Sequence, residues 1–310
     1  AQSLEKLAKS YFAFEKTDIS SFQRKARILQ SMWRKERGFT AGQYQGVTRG
    51  NYLPMPWAKE TLNNYLSETI KRVVAKEVLN QSDFSRFYAK PRIFNNLLSS
   101  QPLCFNLFAE LQQDLSLATK VFRKLCPHRI DTIYKIEFEY SPGAKDPVYT
   151  GDLTAFDVYV EFYNKFDQKG FIGIEVKYHE NLRTTPAKMA DRYFEIASMM
   201  GCFKKDSLPA LQRAPLEQIF RGHLLAGSML YAHKDNFKDV LFVFLYPRLN
   251  THCKQAAEKY KQCLKIDRTF DTWTLENVVE AIKENTTARW IDFLIDRYLN
   301  FEKIDKMIGP

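Results

Sequence analysis

The spacing of apolar residues changes along the chain. In the first hundred residues they recur every three or four positions, as in LPMPWAKETLNNYLSETIKRVVAKEVL, and this spacing predicts helices. A further helix is predicted for residues 103–125. From residue 132 onward, apolar and polar residues alternate in short segments, which is typical of β-strands with one buried face. The chain is therefore predicted to begin with helices and to continue with strands and helices together.

Four segments in the middle of the chain have the pattern of a strand: residues 132–140, 153–164, 171–178 and 240–247. The segments that join the first three are short enough for antiparallel hairpins. The third strand reaches the fourth only through two predicted helices, which permits a parallel crossover. The first of these helices should begin at Thr185 and end at Gly201. The predicted fold class is α/β, with a mixed central β-sheet flanked by helices and helical extensions at both ends.

Three regions follow from this order of elements. Residues 1–95 are predicted to form a basic helical region packed on the core, residues 96–250 the α/β core, and residues 251–310 a mainly helical extension of the same domain. Of the 310 residues, 45% are hydrophobic and 14% are aromatic. This composition supplies ample material for a buried core and argues against disorder.

The charge of the chain favours an anionic partner. There are 46 Lys and Arg residues and 36 Asp and Glu residues, so the net charge is +10. Such an excess suits nucleic acid or an acidic membrane surface. The densest basic stretch is FQRKARILQSMWRKER, residues 22–37. Two interpretations stay open for it: a solvated helix face, or an arm that contacts phosphates through residues such as Arg24 and Arg27.

Cysteine usage and hydropathy bear on location. The five cysteines are an odd number and form no CxxC motif or Cys/His quartet, which argues against a disulfide scaffold and a structural zinc site. No stretch approaches the ~20 apolar residues of a membrane span. The first residues also lack an apolar segment of signal-peptide length. We therefore expect a cytoplasmic protein with no membrane partner.

Charged residues from two neighbouring strands are predicted to share one face of the sheet. In GFIGIEVKYHE, Glu175 and Lys177 are two positions apart, so strand geometry points both side chains to the same side. A hairpin with its turn near Asp167 would place Asp157 opposite Lys177, and Tyr159 opposite Glu175. Asp157 and Glu175 would then be diagonal neighbours, close enough for their carboxylates to converge.

Two interpretations of this cluster stay open. Adjacent carboxylates repel each other, and a divalent cation would relieve the repulsion. Oxygen ligands without Cys or His favour Mg²⁺ or Mn²⁺, which could hold a phosphate oxygen and activate a water molecule. Alternatively, Glu175 and Lys177 form an ordinary ion pair on an edge strand, and Asp157 is exposed independently.

The two strands that carry these residues resemble a known family. The segment FDVYVEF, followed after a hairpin-length gap by GIEVKY, resembles the PD-(D/E)XK nuclease superfamily, whose fold is that of the restriction endonucleases. Asp157 matches the first acid of the pattern, Glu175 the second acid and Lys177 the lysine. The residue before the first acid is Phe156 where the pattern has proline, and Asp152 in GDLTAFD is an alternative first acid.

Further segments extend the resemblance to about residues 95–250. SSQPLCFNLF, FEYSPG and IFRGHLL are similar to blocks in a bacterial group of uncharacterised restriction-endonuclease-like proteins. The resemblance implies a metal-dependent nuclease that hydrolyses phosphodiester bonds, a DNA endonuclease of restriction or defence type. Its cofactor would be Mg²⁺ or Mn²⁺ and its partner DNA, with a homodimer as one form of assembly. The alternatives are a non-catalytic nucleic-acid-binding protein of the same fold and a globular interaction protein.

The resemblance also implies roles for individual residues. Asp157 and Glu175 would hold the metal together with the backbone carbonyl of Val176, and Lys177 would assist the water molecule or the transition state. Superfamily members often use a further acid, for which the candidates are Glu110, Glu137 and Glu139. Contacts to nucleic acid are expected from basic residues on the helices: Lys188, Arg192, Arg221 and His223, together with Arg24 and Arg27.

Overall fold

The computed structural model describes residues 3–80, 88–183 and 190–308. The first part of the chain contains these helices and a small hairpin: α1 (Leu4–Ser10), α2 (Ser21–Glu36), β1 (Gly42–Tyr44), β2 (Val47–Arg49), α3 (Trp57–Thr61), α4 (Glu68–Val74), α5 (Arg92–Asn95) and α6 (Ser100–Gln113). A π-helical turn, Ala75–Leu79, extends α4.

The remainder alternates strands and helices. In chain order they are α7 (Leu115–Leu125), β3 (Thr132–Tyr140), β4 (Phe156–Tyr163), β5 (Lys169–Val176), α8 (Asp191–Met200), α9 (Leu208–Leu211), α10 (Glu217–Ala232), β6 (Phe237–Tyr246), α11 (Thr251–Gln262), β7 (Phe270–Thr274), α12 (Leu275–Lys283), α13 (Trp290–Tyr298) and α14 (Glu302–Ile308). A single 3₁₀ turn, Lys205–Ser207, precedes α9.

The chain divides into two compact units, and the boundaries differ from those predicted. The first unit comprises residues 1–110 and 286–310, and the second comprises residues 111–285. The last two helices therefore belong with the N-terminal region. The predicted packing of the N-terminal region on the core stays a prediction.

In the first unit, helices from both ends of the chain pack together. Helix α2 begins with a capping box, in which Ser20 and Gln23 each accept a hydrogen bond from the backbone N–H of the other. Helices α13 and α14 pack against α2. The guanidinium of Arg297, which is fully buried, donates to Gln30 Oε1 at 2.9 Å and to Asn64 Oδ1 at 2.6 Å. This side chain joins the C-terminal helices to the N-terminal ones.

In the second unit, the described residues form one mixed sheet with strand order β3-β4-β5-β6-β7. Strands β3, β4 and β5 pair antiparallel, and β5, β6 and β7 pair parallel. This confirms the predicted α/β class and the crossover between the third and fourth strands. Strand β7 was not predicted, since only a mainly helical pattern was recognised after residue 250.

The register of the hairpin between β4 and β5 differs from the prediction by two residues. Tyr159 pairs with Gly173 and not with Glu175. The turn spans residues 164–168, with Asp167 in a left-handed conformation at φ 57°. Because side chains alternate with a period of two, a shift of two residues leaves Asp157, Glu175 and Lys177 on their predicted face.

Helices cover both faces of the sheet. Helix α10 packs against β5, β6 and α8, whereas α7 packs against β3 and α12. Phe171 and Phe242 belong to the core beneath α8 and α10. Strand β5 is thus buried on both faces, and not on one face only as its alternation had suggested.

The helix predicted after β5 ends where expected. Gly201 follows its last turn in the left-handed conformation, φ 62°, which glycine adopts without strain. The predicted start at Thr185 lies outside the described residues, and α8 begins at Asp191. Among the described helices, none combines the length and the apolar character needed to cross a membrane.

Candidate active site

Three acidic side chains form a row across neighbouring strands. The pairing of β4 with β5 runs as far as Val158 and Ile174, so the next residues, Asp157 and Glu175, face each other directly. On the other side of β4, the pairs Phe138–Val158 and Tyr140–Phe156 place Glu139 beside Asp157. We call Glu139, Asp157 and Glu175 the acidic row. It follows from the register of three strands and was only partly predicted.

Hydrogen bonding at the end of the β4–β5 hairpin fixes Asp157. Its Oδ2 accepts the backbone N–H of Val176 at 2.6 Å. The carboxylate therefore accepts the hydrogen bond that a backbone carbonyl of β4 would accept if the strand pairing continued. The backbone N–H of Lys177 donates in turn to the carbonyl of Leu245 on β6 at 2.8 Å. Both sides of the strand that carries Glu175 are thus held in place.

Lys177 lies beside the acidic row as a charged ammonium. Its Nζ is 2.6 Å from Glu175 Oε1, and the two side chains are 13% and 18% exposed, so solvent and ligands can still reach them. Burial by itself disfavours the ammonium, but the carboxylates of Glu175, Glu180 and Asp157 outweigh it and raise the pKa of Lys177. Lys177 therefore stays protonated at neutral pH.

Asp157 is held in an environment that disfavours its charge. Burial raises the pKa of its carboxyl well above the usual range, and the carboxylates of Glu175 and Glu139 raise it further. Lys177 and the Val176 N–H act in the opposite direction and do not cancel the increase. An added cation at this position would remove the penalty.

The donor set fits a hard divalent cation that the substrate helps to bind. Among the described residues, no hydrogen-bond donor contacts Asp157 Oδ1 or Glu175 Oε2. The same residues include no ready-made group of three or more Asp, Glu, His or Cys side chains around one point. Mg²⁺ commonly binds through one or two carboxylates and completes its shell with waters and substrate phosphates. The pair Asp157 and Glu175 would suffice for such a site.

The interpretation as an ordinary ion pair on an edge strand is wrong in two respects. Strand β5 is the central strand of the sheet, with β4 and β6 on its two sides. Asp157 is not independently exposed, because it is partly buried and bonded to the backbone of Val176. The ion pair between Glu175 and Lys177 does form, but within the acidic row.

Asp152, the alternative first acid, belongs to a different network. It accepts hydrogen bonds from the Tyr193 hydroxyl and, at 2.8 Å each, from the Thr150 hydroxyl and the Thr154 N–H. Its carboxylate also lies 3.3 Å from the Arg221 guanidinium. Burial raises its pKa, but these hydrogen bonds outweigh burial and lower it. Asp152 thus stabilises a loop, and Asp157 is the acid that faces Glu175.

Three predicted nucleic-acid contacts in the second unit are engaged within the protein. Arg221 lies 3.1 Å from Glu217 and 3.3 Å from Asp152. Arg192 donates at 2.9 Å and 3.0 Å to two backbone carbonyls, at residues 148 and 149. His223 is fully buried between Tyr260 and the Thr269 hydroxyl, and burial lowers its pKa to about 3. The prediction for His223 is wrong, because a neutral imidazole without exposed surface cannot reach a phosphate. Lys188 lies outside the described residues.

Of the predicted residues in the first unit, Arg27 is the most constrained. Its guanidinium binds both carboxylate oxygens of Asp18, at 2.6 Å and 2.8 Å, and Asp18 is 1% exposed. Arg24 is exposed and donates to the backbone carbonyl of Asp18 at 3.1 Å. Glu110 accepts a hydrogen bond from Ser67 at 2.5 Å. The basic stretch 22–37 is therefore not simply a solvated helix face, since Arg24 and Arg27 form hydrogen bonds within the protein.

One residue that supports the site was not predicted. Asn250 is fully buried, and its side-chain N–H group donates at 3.0 Å to the carbonyls of both Tyr178 and Glu180. Its Oδ1 accepts the N–H of Cys253 and so caps α11. Asn250 thereby fixes the segment that follows Lys177 to the start of a helix. An asparagine directly before a helical pattern was the signal that could have identified it.

Comparison with known proteins identifies the family. A family model of the PD-(D/E)XK nuclease superfamily matches residues 16–300, well beyond the 95–250 that the motifs suggested. No curated protein and no solved structure is significantly similar to the chain. The match includes the strands that carry Asp157, Glu175 and Lys177, as well as most of both terminal regions. The chain belongs to the PD-(D/E)XK nuclease superfamily.

Proposed function

We propose that this protein is a metal-dependent nuclease that hydrolyses phosphodiester bonds in DNA, as an endonuclease of restriction or defence type. Membership of the superfamily supports a nuclease-type function on a nucleic-acid substrate. The observation that carries the proposal is the placement of Asp157 opposite Glu175, with the Lys177 ammonium 2.6 Å from Glu175. DNA as the substrate follows from the resemblance, and the net charge of +10 suits a polyanion.

Each residue of the cluster has a distinct role in this proposal. Asp157, Glu175 and the carbonyl of Val176 would hold Mg²⁺ or Mn²⁺, which supplies a Lewis acid for the phosphate and lowers the pKa of a bound water. Lys177 would act as a cation that stabilises negative charge on the phosphate oxygens or orients the attacking water, since the neighbouring carboxylates raise its pKa and favour the ammonium. Glu139 would reinforce the negative charge that draws the metal to Asp157.

The test is cleavage of a panel of duplex, single-stranded and branched DNA and of RNA, with Mg²⁺, Mn²⁺ or a chelator. Glu175→Gln and Lys177→Ala should each reduce the cleavage rate by about 10²- to 10³-fold, the usual effect of removing one charge-stabilising group. Lys169→Ala is the matched control, since Lys169 lies on the same strand β5 but away from the acidic row. Full Mg²⁺-dependent activity in the Lys177→Ala protein would contradict the assignment.

A second function, binding of nucleic acid without catalysis, is favoured by one observation. The basic stretch at residues 22–37 and the net charge of +10 suit a polyanion whether or not the protein cleaves it. Binding that weakens steeply with salt, with no cleavage of any substrate in Mg²⁺ or Mn²⁺, would favour this function over a nuclease.

We infer a cytoplasmic location and a homodimer as further parts of the proposal. All five cysteines are free and buried, which suits a reducing compartment. A dimer would present two acidic rows to the two strands of a duplex. Sedimentation of the purified protein with and without DNA tests the dimer, and a monomer on cleaved duplex would contradict it.

A further inference from the structure

A pocket of about 300 Å³ opens in the second unit, beside the segment that follows Lys177. One wall is a single face of α11, formed by His252, Gln255 and Lys259, which are three and four residues apart. Asn181 and Arg183 also line the pocket. None of the described residues that line the pocket is acidic.

Two cations and one imidazole nitrogen of this pocket have no partner among the described residues. Arg183 and Lys259 are exposed, and neither has a carboxylate partner among the described residues. The Nε2 atom of His252 is buried without a hydrogen-bond partner in the same part of the chain. Burial lowers the pKa of His252, and the charge of Arg183 lowers it further, so two cationic side chains and a neutral imidazole surround the space. An anion would satisfy all three groups together.

The position of the pocket relates it to the acidic row. Asn181 follows Lys177 by four residues, so their Cα atoms are at most about 14 Å apart. Asn250 ties this segment to the start of α11, the helix that forms one wall. Successive phosphates of one DNA strand advance by about 3.4 Å along the duplex axis, so this distance corresponds to a few nucleotides.

We propose that the pocket binds a backbone phosphate of the nucleic-acid substrate, a few nucleotides from the phosphodiester at the acidic row. This inference rests on the proposed function. Arg183 supplies a planar fork that matches two phosphate oxygens, and Lys259 supplies a compact charge. Gln255 and Asn181 can donate further hydrogen bonds of the kind that position a nucleic-acid backbone without selecting its sequence.

The basic residues of the second unit differ in whether their charge is still available to bind a phosphate of the substrate. Arg192 and Arg221 are occupied by carbonyls and carboxylates of the protein itself. Arg183 and Lys259 lie close to the segment after Lys177. Neither side chain has a carbonyl or carboxylate partner among the described residues. A cation already neutralised by the protein gains little from a phosphate, whereas an unpaired one releases a counterion when it binds.

The test measures binding in the presence of a chelator, so that no cleavage occurs. A fluorescent DNA duplex is titrated with the parent protein, with the double variant Arg183→Ala/Lys259→Ala, and with the control Lys254→Ala/Lys283→Ala. The control removes two exposed lysines that do not line the pocket, one of them on the same helix α11. All four side chains are exposed, so each variant is expected to fold.

The pocket variant should bind the duplex about tenfold more weakly or worse, which is the usual effect of losing one or two charge-assisted hydrogen bonds. The plot of log affinity against log salt concentration should become shallower, with its negative slope reduced in magnitude by about one. The control should keep the slope of the parent protein. Equal affinities and slopes for the pocket variant and the control would overturn the proposal.

A parallel titration with a nucleoside monophosphate separates a backbone phosphate from a free nucleotide. Tight binding of the monophosphate that is lost in the pocket variant, with duplex affinity unchanged, would also overturn the proposal. Because binding is measured without metal, the two proposals fail separately. A protein that binds duplex through the pocket and cuts nothing contradicts only the nuclease. If the protein cuts DNA and the pocket variant keeps the duplex affinity of the parent, only the pocket proposal is contradicted.

Discussion

Gly173 lies in a tightly packed part of the hairpin that carries Asp157 and Glu175. It faces Tyr159 on β4, two residues before Glu175 on β5. A Cβ atom at Gly173 would lie 2.4 Å from Cε1 and 2.5 Å from Cδ1 of the Phe156 ring. Phe156 is fully buried and directly precedes Asp157 in the chain. Substitution of Gly173 by alanine should therefore disturb the core and the first acid together.

Alanine at Gly173 would force the Phe156 ring to move. Carbon atoms in contact prefer about 3.5–4.0 Å, so the Phe156 ring would have to retreat by about 1 Å. Its neighbours Tyr159 and Phe242 have ring centroids at 6.2 Å and leave it little room. Overpacking of this kind costs about 1–3 kcal/mol, while replacing glycine by alanine gains about 0.4–1 kcal/mol through the unfolded chain. The net loss for Gly173→Ala should be about 1–2 kcal/mol.

Urea unfolding at one pH measures this loss, and calorimetric titration with Mn²⁺ measures the effect on the acidic row. A double-mutant cycle with Phe156→Leu isolates the clash, since the smaller side chain leaves space for the added methyl group. Gly173→Ala should cost clearly less in the Phe156→Leu background than in the parent protein. An unchanged or raised unfolding midpoint for Gly173→Ala, or an equal cost in both backgrounds, would show that the Phe156 ring does not restrict the space at Gly173.

Three further predictions concern charge and hydrogen bonding. Asp157→Asn should gain stability relative to the parent as the pH of a metal-free buffer rises above about 4, because burial and neighbouring carboxylates raise the pKa of Asp157 and make its charged form unfavourable in the fold. A pH-independent difference in urea unfolding would count against this. Asn250→Ala should lose about 2–4 kcal/mol in thermal or urea unfolding, through a lost helix cap and two carbonyls without a donor, and Asn250→Asp should restore only the cap. Arg27→Ala should lower the free energy of unfolding by about 3 kcal/mol or more, because it leaves the Asp18 carboxylate buried without that partner. Arg24 is exposed, so Arg24→Ala should leave the unfolding midpoint nearly unchanged. Equal midpoints for the two variants would contradict the buried ion pair.

Strand periodicity was enough to predict the faces of the sheet but not its register. The alternation in β4 and β5 assigns Asp157, Glu175 and Lys177 to one face, and the structure brings them together there. The register depends on the turn, where Asn164 Oδ1 accepts the N–H groups of Phe166 and Gln168. Moving the centre of such a turn by one residue shifts the pairing by two and preserves the faces, so the sequence pattern cannot distinguish the two registers.

The roles of the basic residues could not be predicted because most of their partners lie outside the helix that carries them. Arg221 pairs with Asp152, which precedes it by 69 residues, and Arg27 pairs with Asp18 across a turn of the chain. A count of charges treats these cations and Arg183 alike. Only the three-dimensional arrangement shows which cations the protein has already neutralised. Strand β7 was missed for a similar reason, since its five residues gain their conformation from pairing with β6.

The first unit is formed by two chain segments that precede and follow the second unit in the sequence. Its buried Arg297 reaches Gln30 and Asn64 only after residues 111–285 have been synthesised. At a translation rate of ~5–20 residues per second, that interval is roughly 9–35 s. The continuous unit that carries the acidic row can therefore fold on the ribosome before the N-terminal helices are complete. During that interval the unfinished N-terminal helices expose apolar surface to chaperones and proteases. The N-terminal helices, although they are synthesised first, can complete their packing only after the second unit has been made.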